Sequence, residues 1–238
     1  MNIYLIRHGQ AGTRDAYDSL SELGRCQAGL LGEYFASQSI AFAAAYSGEM
    51  SRQQRTSAET SAGYGSSFPH VITDAGWNEF GLDRLYRELA PQLAGVDESF
   101  RRDYESMRME VAASAGAEHA KVHRRWLPCD TTLVNTWISG RFSQAGETWQ
   151  QFRDRVAQCR QRLGSFQRQD NIAVFTSAAP IGIWMTLALG LADSYVMKFA
   201  GVLHNGSFTV LQLRDGDLRL FTFNATPHLT RPELRTFR

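Results

Sequence analysis

Apolar residues along this chain fall into short blocks and helical stripes that follow one another, the pattern of strands and helices interleaved around a single sheet. The first block, Ile3-Tyr4-Leu5-Ile6, is rich in β-formers and has no polar alternation, which suits a strand buried on both faces of a parallel sheet. It stops abruptly at Arg7-His8-Gly9-Gln10. Residues 11–18 are polar and read as a loop; Ser21 and Glu22 then open a helix, with Leu20, Ala28, Leu30, Leu31, Tyr34 and Phe35 at helical spacing and an end near Ser37. Residues 42–46 predict a second strand, although alanine is a poor strand former. Residues 47–56 lead from that strand into a helix that Ser51 could cap. A third strand over 71–73 runs into Trp77-Asn78-Glu79-Phe80-Gly81.

Between about 81 and 146 the pattern changes. Helical segments over 84–93, 98–113 and 118–126 are separated by glycines, and no apolar strand interrupts them. This predicts a helical insertion over the sheet end, a cap that shapes a substrate pocket. Trp126, Trp137 and Phe142 are candidates either for its lining or for its core. Gly146-Glu147-Thr148 starts a helix to about 166, striped by Trp149, Phe152, Val156, Cys159 and Leu163. A buried strand over 171–175 leads through Thr176-Ser177-Ala178-Ala179-Pro180 into a helix over 181–189, where proline near the start is tolerated. Segments 207–213 and 218–223, joined by Arg214-Asp215-Gly216-Asp217, predict a β-hairpin. The last ten residues read as a loose tail.

Composition narrows the function classes. With 238 residues and 43% hydrophobic content, the chain can bury one sizeable core, so a single domain over 1–238 carrying the insertion is expected. Twenty-five basic and 24 acidic residues leave a net charge of +1, with no block of five like charges, which argues against nucleic-acid or membrane-surface binding by bulk electrostatics. Cys26, Cys129 and Cys159 form no C-x-x-C pair, against a disulfide framework or zinc site and in keeping with a reducing cytoplasm. No signal peptide is expected, because the first apolar run is broken at Arg7. The longest apolar stretch, 181–192, is shorter than the ~20 residues a spanning helix needs.

Candidate chemistry lies at the strand ends, where open α/β sheets bind ligands. Arg7 and His8, followed by a glycine that lets backbone approach a ligand, suit a bound anion; a surface Arg-His pair is the plain alternative. If Ser51 caps its helix, Arg52 occupies the first helical position beside unpaired N–H groups and the positive dipole end, which favours an anion. Arg55 reads as a solvated helix charge. Glu79, between two aromatics, is either a partly desolvated carboxyl suited to proton transfer or a surface carboxylate. His119 and His123 share a helix face, but two histidines without a third ligand are weak evidence for metal.

Arg7-His8-Gly9, the run from Ser47 through Arg52 to Thr56, Asn78-Glu79, Gly146-Glu147-Thr148, and Asn224 with His228-Leu229 occur in an order that resembles the histidine phosphatase superfamily, the phosphoglycerate-mutase-like branch. Five weak pieces in the right order are specific, and they span the chain. The resemblance implies an α/β fold: a three-layer α/β/α sandwich with a mostly parallel central sheet, a C-terminal β-hairpin and the helical cap insertion. It implies that His8 is the nucleophile, that Arg7 and Arg52 clamp the phosphoryl oxygens, and that Glu79 protonates the leaving oxygen and then activates water. Gly9 and Gln10 would border the substrate. No cofactor or metal is implied, because the arginines supply the positive charge.

This chain departs from the family pattern at three places. A second histidine followed by two glycines is replaced by Ser177-Ala178-Ala179; a serine can donate one hydrogen bond but carries no charge, and losing a preorganised donor typically costs ~10²–10³-fold in rate. Arg14 stands where many relatives have asparagine, and the methyl groups of Ala178 and Ala179 bear on pocket size. His204, before Asn205-Gly206-Ser207, is either a replacement donor or a histidine in a surface connection. The expected function is a metal-independent phosphomonoester hydrolase acting on a small phosphorylated metabolite. A phosphoglycerate-type mutase and a non-catalytic phosphoryl-binding protein are the alternatives. Substrate identity and oligomeric state stay open.

Overall fold

The structure, a computed structural model, describes residues 1–12, 18–114 and 128–237, with the backbone alone of 110–114. In chain order the first elements are β1 (Asn2–Arg7), α1 (Glu22–Ser37), β2 (Ala44–Ser47), α2 (Ser51–Tyr64) and β3 (Val71–Thr73). Helices α3 (Leu82–Glu88), α4 (Ala90–Ala94), α5 (Glu98–Ser114), α6 (Pro128–Ser139) and α7 (Trp149–Gln158) follow. The chain closes with β4 (Asn171–Thr176), α8 (Ala178–Leu189), α9 (Val196–Ala200), β5 (Phe208–Arg214) and β6 (Asp217–Ala225). Two compact units result, Met1–Glu79 with Arg155–Arg238, and Phe80–Asp154.

One six-stranded sheet, in the order β3-β2-β4-β1-β5-β6, forms the first unit. Strands β3, β2, β4 and β1 run parallel, β5 is antiparallel to β1, and β6 is antiparallel to β5. This is the α/β architecture with a mostly parallel sheet and a terminal hairpin. Ile3, Leu5 and Ile6 are fully buried, as a central parallel strand requires. Ile6, Ala173, Phe175, Phe208 and Val210 build the core on one face with Leu31 and Phe35 of α1. The alternate residues Ile3, Leu5, Ile172 and Val174 are as fully buried and face the other side, where α8 contacts β1. Helices α1 and α2 approach closely because glycines face each other: a Cβ on Gly32 would overlap the Thr60 carbonyl, and one on Gly63 the Gly29 carbonyl.

Several boundaries differ from the pattern-based expectation for physical reasons. Strand β2 starts at Ala44, because its pairing with β4 begins there, at Ala44↔Ile172, while Phe42 turns into the core. Met50, not Ser51, takes the cap position of α2, and Ser51 is its first helical residue. The helix expected over 146–166 begins at Trp149 and ends in a 3-10 turn, Cys159–Leu163; Thr148 and Gln151 exchange hydrogen bonds of 2.8 and 3.2 Å at its start, a capping box. Helix α8 begins three residues earlier than expected, at Ala178, with Pro180 in its first turn, where no intrahelical N–H bond is lost. Asp215 and Gly216 both have positive φ, the geometry of a two-residue hairpin turn. The tail is tied down, contrary to expectation: Leu229 and Leu234 are buried, and Asn205 N–H donates to the Thr236 carbonyl at 2.8 Å.

In the second unit the segment expected as one helix over 84–93 breaks at Leu89 into α3 and α4, since Pro91 disfavours continuous helix before it. Helix α6 was not expected. Trp137 is a core residue, with its ring centroid 5.1 to 5.6 Å from those of Phe80, Trp149 and Phe152, and Phe142 is half-buried under Arg141. Residues 118–126, with His119, His123 and Trp126, lie outside the described residues.

Burial pushes the imidazole of His228 down to about 4, with the Gly206 backbone opposing part of the shift. Above the ordinary value of 6.5 both folded and unfolded chains hold it neutral. As pH falls from 6.5 toward 4 only the unfolded chain takes the proton, so stability falls by roughly 3 kcal/mol across that window. Urea midpoints measured from pH 7.5 to 4.5 are expected to show this loss, and His228→Phe to flatten it; an equal slope in the variant would contradict the assignment.

Candidate active site

The ends of β1, β2 and β4 bring the candidate residues together. Arg7 pairs with Thr176 across the β1–β4 seam, and His8 N–H donates to the Thr176 carbonyl at 3.0 Å, so His8 and Ser177 are neighbours at adjacent strand ends. His8 is 3% exposed and Arg7 is 4% exposed. Arg7 Nη1 donates to the Leu203 carbonyl. The His8 Nδ1 lies 2.8 Å from the Gly9 carbonyl. A carbonyl can only accept, so Nδ1 carries the proton and Nε2 presents its lone pair. Arg52 Nε donates to that Nε2 at 3.3 Å.

Arg52 occupies the second position of α2, and the anion at this helix start is supplied by the chain itself. Asp18 Oδ1 accepts from Arg52 Nη1 at 2.9 Å, and its Oδ2 accepts the Ser51 N–H at 3.1 Å. The carboxylate thus serves two N-terminal needs, a hydrogen-bond acceptor and a negative charge, which a methionine at the cap position cannot meet. The guanidinium is strung between His8 and Asp18. Asp18 was not singled out from the sequence, since one acidic residue in a polar loop has no local signature.

Ser177, the N-cap of α8, is 1% exposed, and its Oγ accepts from Gln53 Nε2 at 2.9 Å. Glu79 is brought to the same helix start, where its Oε2 accepts the Ala179 N–H at 3.0 Å. Arg155 Nη1 holds the loop that carries Glu79 by donating to the carbonyls of Ala75, Gly76 and Asn78, at 2.7 to 3.3 Å. Gln53 and Arg155 were also missed. Gln53 stands at the third helical position, where Gln is a capping signal, but the non-polar Met50 in the cap position masks it.

The remaining candidates divide. Gly9 makes a close approach to the chain: a Cβ there would overlap the Gly24 carbonyl, and its N–H donates to Thr56 Oγ1 at 3.0 Å. Gln10 is likewise engaged internally, its N–H on Gln27 Oε1 at 2.8 Å and its Oε1 on Ser21 Oγ at 2.9 Å. Ala178 is half-buried at the start of α8. Arg14 lies outside the described residues. His204 follows Leu203, the residue that holds Arg7, and its ring centroid is 4.1 Å from that of Phe237. Burial lowers its pKa; the Asn224 side chain opposes the shift, and the charges of Arg235 and Arg7 add to it. It therefore brings no positive charge at neutral pH. Among the described residues no group of three or more His, Cys, Asp or Glu could hold a metal ion, and no helix is long and apolar enough to cross a membrane.

The model of the histidine phosphatase superfamily (branch 1) matches residues 3–137 and 116–226. No curated protein matches the chain. Among solved structures, the α-ribazole phosphatase of Shigella flexneri is 18% identical, with 95% of this chain and 97% of that one covered and a TM-score of 0.62. A phosphoserine phosphatase mutant from Entamoeba histolytica, in complex with phosphoserine, is 18% identical over 96% and 98% of the two chains, with a TM-score of 0.60. The mycobacterial glucosyl-3-phosphoglycerate phosphatase is 17% identical over 94% and 98%, with a TM-score of 0.58. At such identities the likeness is one of fold.

Because the Gly24 backbone fills the space beside Gly9, Gly9→Ala is expected to destabilise the protein by about 1–3 kcal/mol, read as a lower urea midpoint. A variant of unchanged stability that had lost only anion binding would return Gly9 to the ligand.

Proposed function

Because the chain belongs to the histidine phosphatase superfamily (branch 1), we propose that it is a metal-independent phosphomonoester hydrolase that works through a phosphohistidine on a small phosphorylated metabolite. The observation that carries this reading is the pairing at His8, with Nδ1 against the Gly9 carbonyl and Nε2 3.3 Å from Arg52 Nε. One ring nitrogen is fixed as a donor, and the other is a nucleophile beside a buried guanidinium. Attack by Nε2 forms the N–P bond as the ester P–O bond breaks, and Glu79 gives its proton to the leaving oxygen. Water then attacks the phosphohistidine with Glu79 taking a proton, and inorganic phosphate leaves as the N–P bond breaks. Splitting one displacement into two lowers each barrier.

Arg7 and Arg52 supply the charge for the phosphoryl oxygens. Both are nearly fully buried, in surroundings that strengthen their pull on a dianion. Ser177 takes the place of the second imidazole as a neutral donor. The three solved relatives carry the names of phosphatases for α-ribazole phosphate, phosphoserine and glucosyl-3-phosphoglycerate, which supports a small phosphomonoester as the substrate class.

Labelled substrate quenched in alkaline detergent and tested for alkali-stable, acid-labile phosphate on His8 separates this reading from simple binding. His8→Ala is expected to abolish both the label and phosphate release while leaving the melting temperature near that of the parent; turnover surviving in folded His8→Ala would remove the covalent mechanism. Arg52→Lys keeps the charge but loses the paired donors, so vanadate should bind about tenfold more weakly or worse. Equal vanadate affinity would take the clamp role from Arg52.

A further inference from the structure

We propose that Gln53 is a positioning residue: it obliges Ser177 to give its proton to the phosphoryl site instead of accepting one there. The proposal rests on the reading of Ser177 as a donor to the phosphoryl group. Gln53 is fully buried, and its partners decide which way its amide faces. Its Oε1 accepts the Met50 N–H at 3.3 Å, while its Nε2 donates to the Trp77 carbonyl at 3.2 Å and to Ser177 Oγ at 2.9 Å. An N–H cannot accept and a carbonyl cannot donate, so turning the amide over would break two of these bonds.

The consequence passes to Ser177. Its oxygen accepts from Gln53, so its own proton must go to another acceptor. The Trp77 carbonyl is closed to it, since that oxygen already accepts from Gln53 Nε2 and, at 2.6 Å, from Thr176 Oγ1. Among the described residues Ser177 Oγ makes no hydrogen bond as a donor. What lies beside Ser177 is the end of β1, where His8 donates its N–H to the Thr176 carbonyl. An oxygen of a phosphoryl group on His8 is the acceptor this geometry leaves. Gly48 makes the arrangement possible, because a Cβ there would overlap Gln53 Oε1. A neutral hydroxyl with a free rotor is a weak electrostatic stabiliser, and one locked as a donor is preorganised. The amide thus gives direction to a group that cannot offer charge.

A double-mutant cycle tests this, with kcat and KM on p-nitrophenyl phosphate and melting temperature measured for each protein. Gln53→Met, similar in volume and without donors, should lower kcat about tenfold with KM little changed, as expected when a donor is loosened and not lost. In the Ser177→Ala background the same change should alter kcat less than about twofold, because nothing remains to orient. Gln53→Glu should be worse than Gln53→Met, since a carboxylate accepts the Ser177 proton and turns it away. Equal factors in the two backgrounds, or an unchanged kcat in folded Gln53→Met, would overturn the proposal. If Gln53→Met does not fold, Gly48→Ala displaces the same amide and must show the same dependence on Ser177. If the parent has no turnover, the phosphatase reading fails and the cycle is read on vanadate affinity, where non-additivity upholds the positioning role and additivity overturns it.

Discussion

The hydrogen bond from His8 N–H to the Thr176 carbonyl continues the β1–β4 ladder one step past its last Cα pair, and the candidate site depends on it. Arg7 is the last residue of β1 in any case, but without that step His8 would be a loop residue with its own conformational freedom. With it, they stand at a fixed distance from Ser177. Fully buried Ile3, Leu5, Ile172 and Val174 specify the register, since a slip of one residue would turn each to the wrong face. The core therefore sets the positions of polar groups that contribute little to it.

A second constraint is electrostatic. Two guanidiniums nearly out of contact with water are costly unless something answers their charge. The chain answers Arg52 with Asp18 at the start of α2, and gives Arg7 a main-chain carbonyl at Leu203. The carboxylate is the more exposed partner, its side chain being 56% accessible against 6% for Arg52, so solvent weakens its hold. The result is a positive site partly compensated from its open side. Under the proposed function, an incoming phosphoryl dianion would meet donors already oriented, with the desolvation of both arginines met during folding.

Much of this was legible in the sequence. Long stripes and unbroken apolar blocks predicted α1, β1, β4 and the hairpin, because one buried face or two leave a periodic record. The positions of Arg7 and His8 at the end of β1, of Arg52 in the first turn after β2 and of Ser177 just after β4 followed from the same record. What could not be read was reciprocity between distant residues. Asp18 matters through its contact with Arg52 at 34 positions' remove, and Gln53 through Ser177 at 124; neither has a neighbour in sequence that betrays it. The crowding at Gly9 was hidden for the same reason, as it comes from Gly24 of α1. The tail, polar enough to look loose, is held by Gln27 Nε2, which donates to the Leu234 carbonyl at 2.7 Å and to Thr236 Oγ1 at 3.0 Å.

Gln27 joins these threads. Its Oε1 accepts the Gln10 N–H just after His8, while its Nε2 reaches the tail, and it is fully buried. One amide thus couples the loop behind the candidate nucleophile to the last residues described. Gln53 does the same between α2, the Trp77 carbonyl and the start of α8. Amides suit this work because each offers a donor and an acceptor with no charge to neutralise, so they fix polar backbone near two buried arginines without competing for the anion that those arginines would bind. On the proposed reading of the site, a serine would stand where an imidazolium is usual, with the guanidiniums carrying the charge and uncharged groups the geometry.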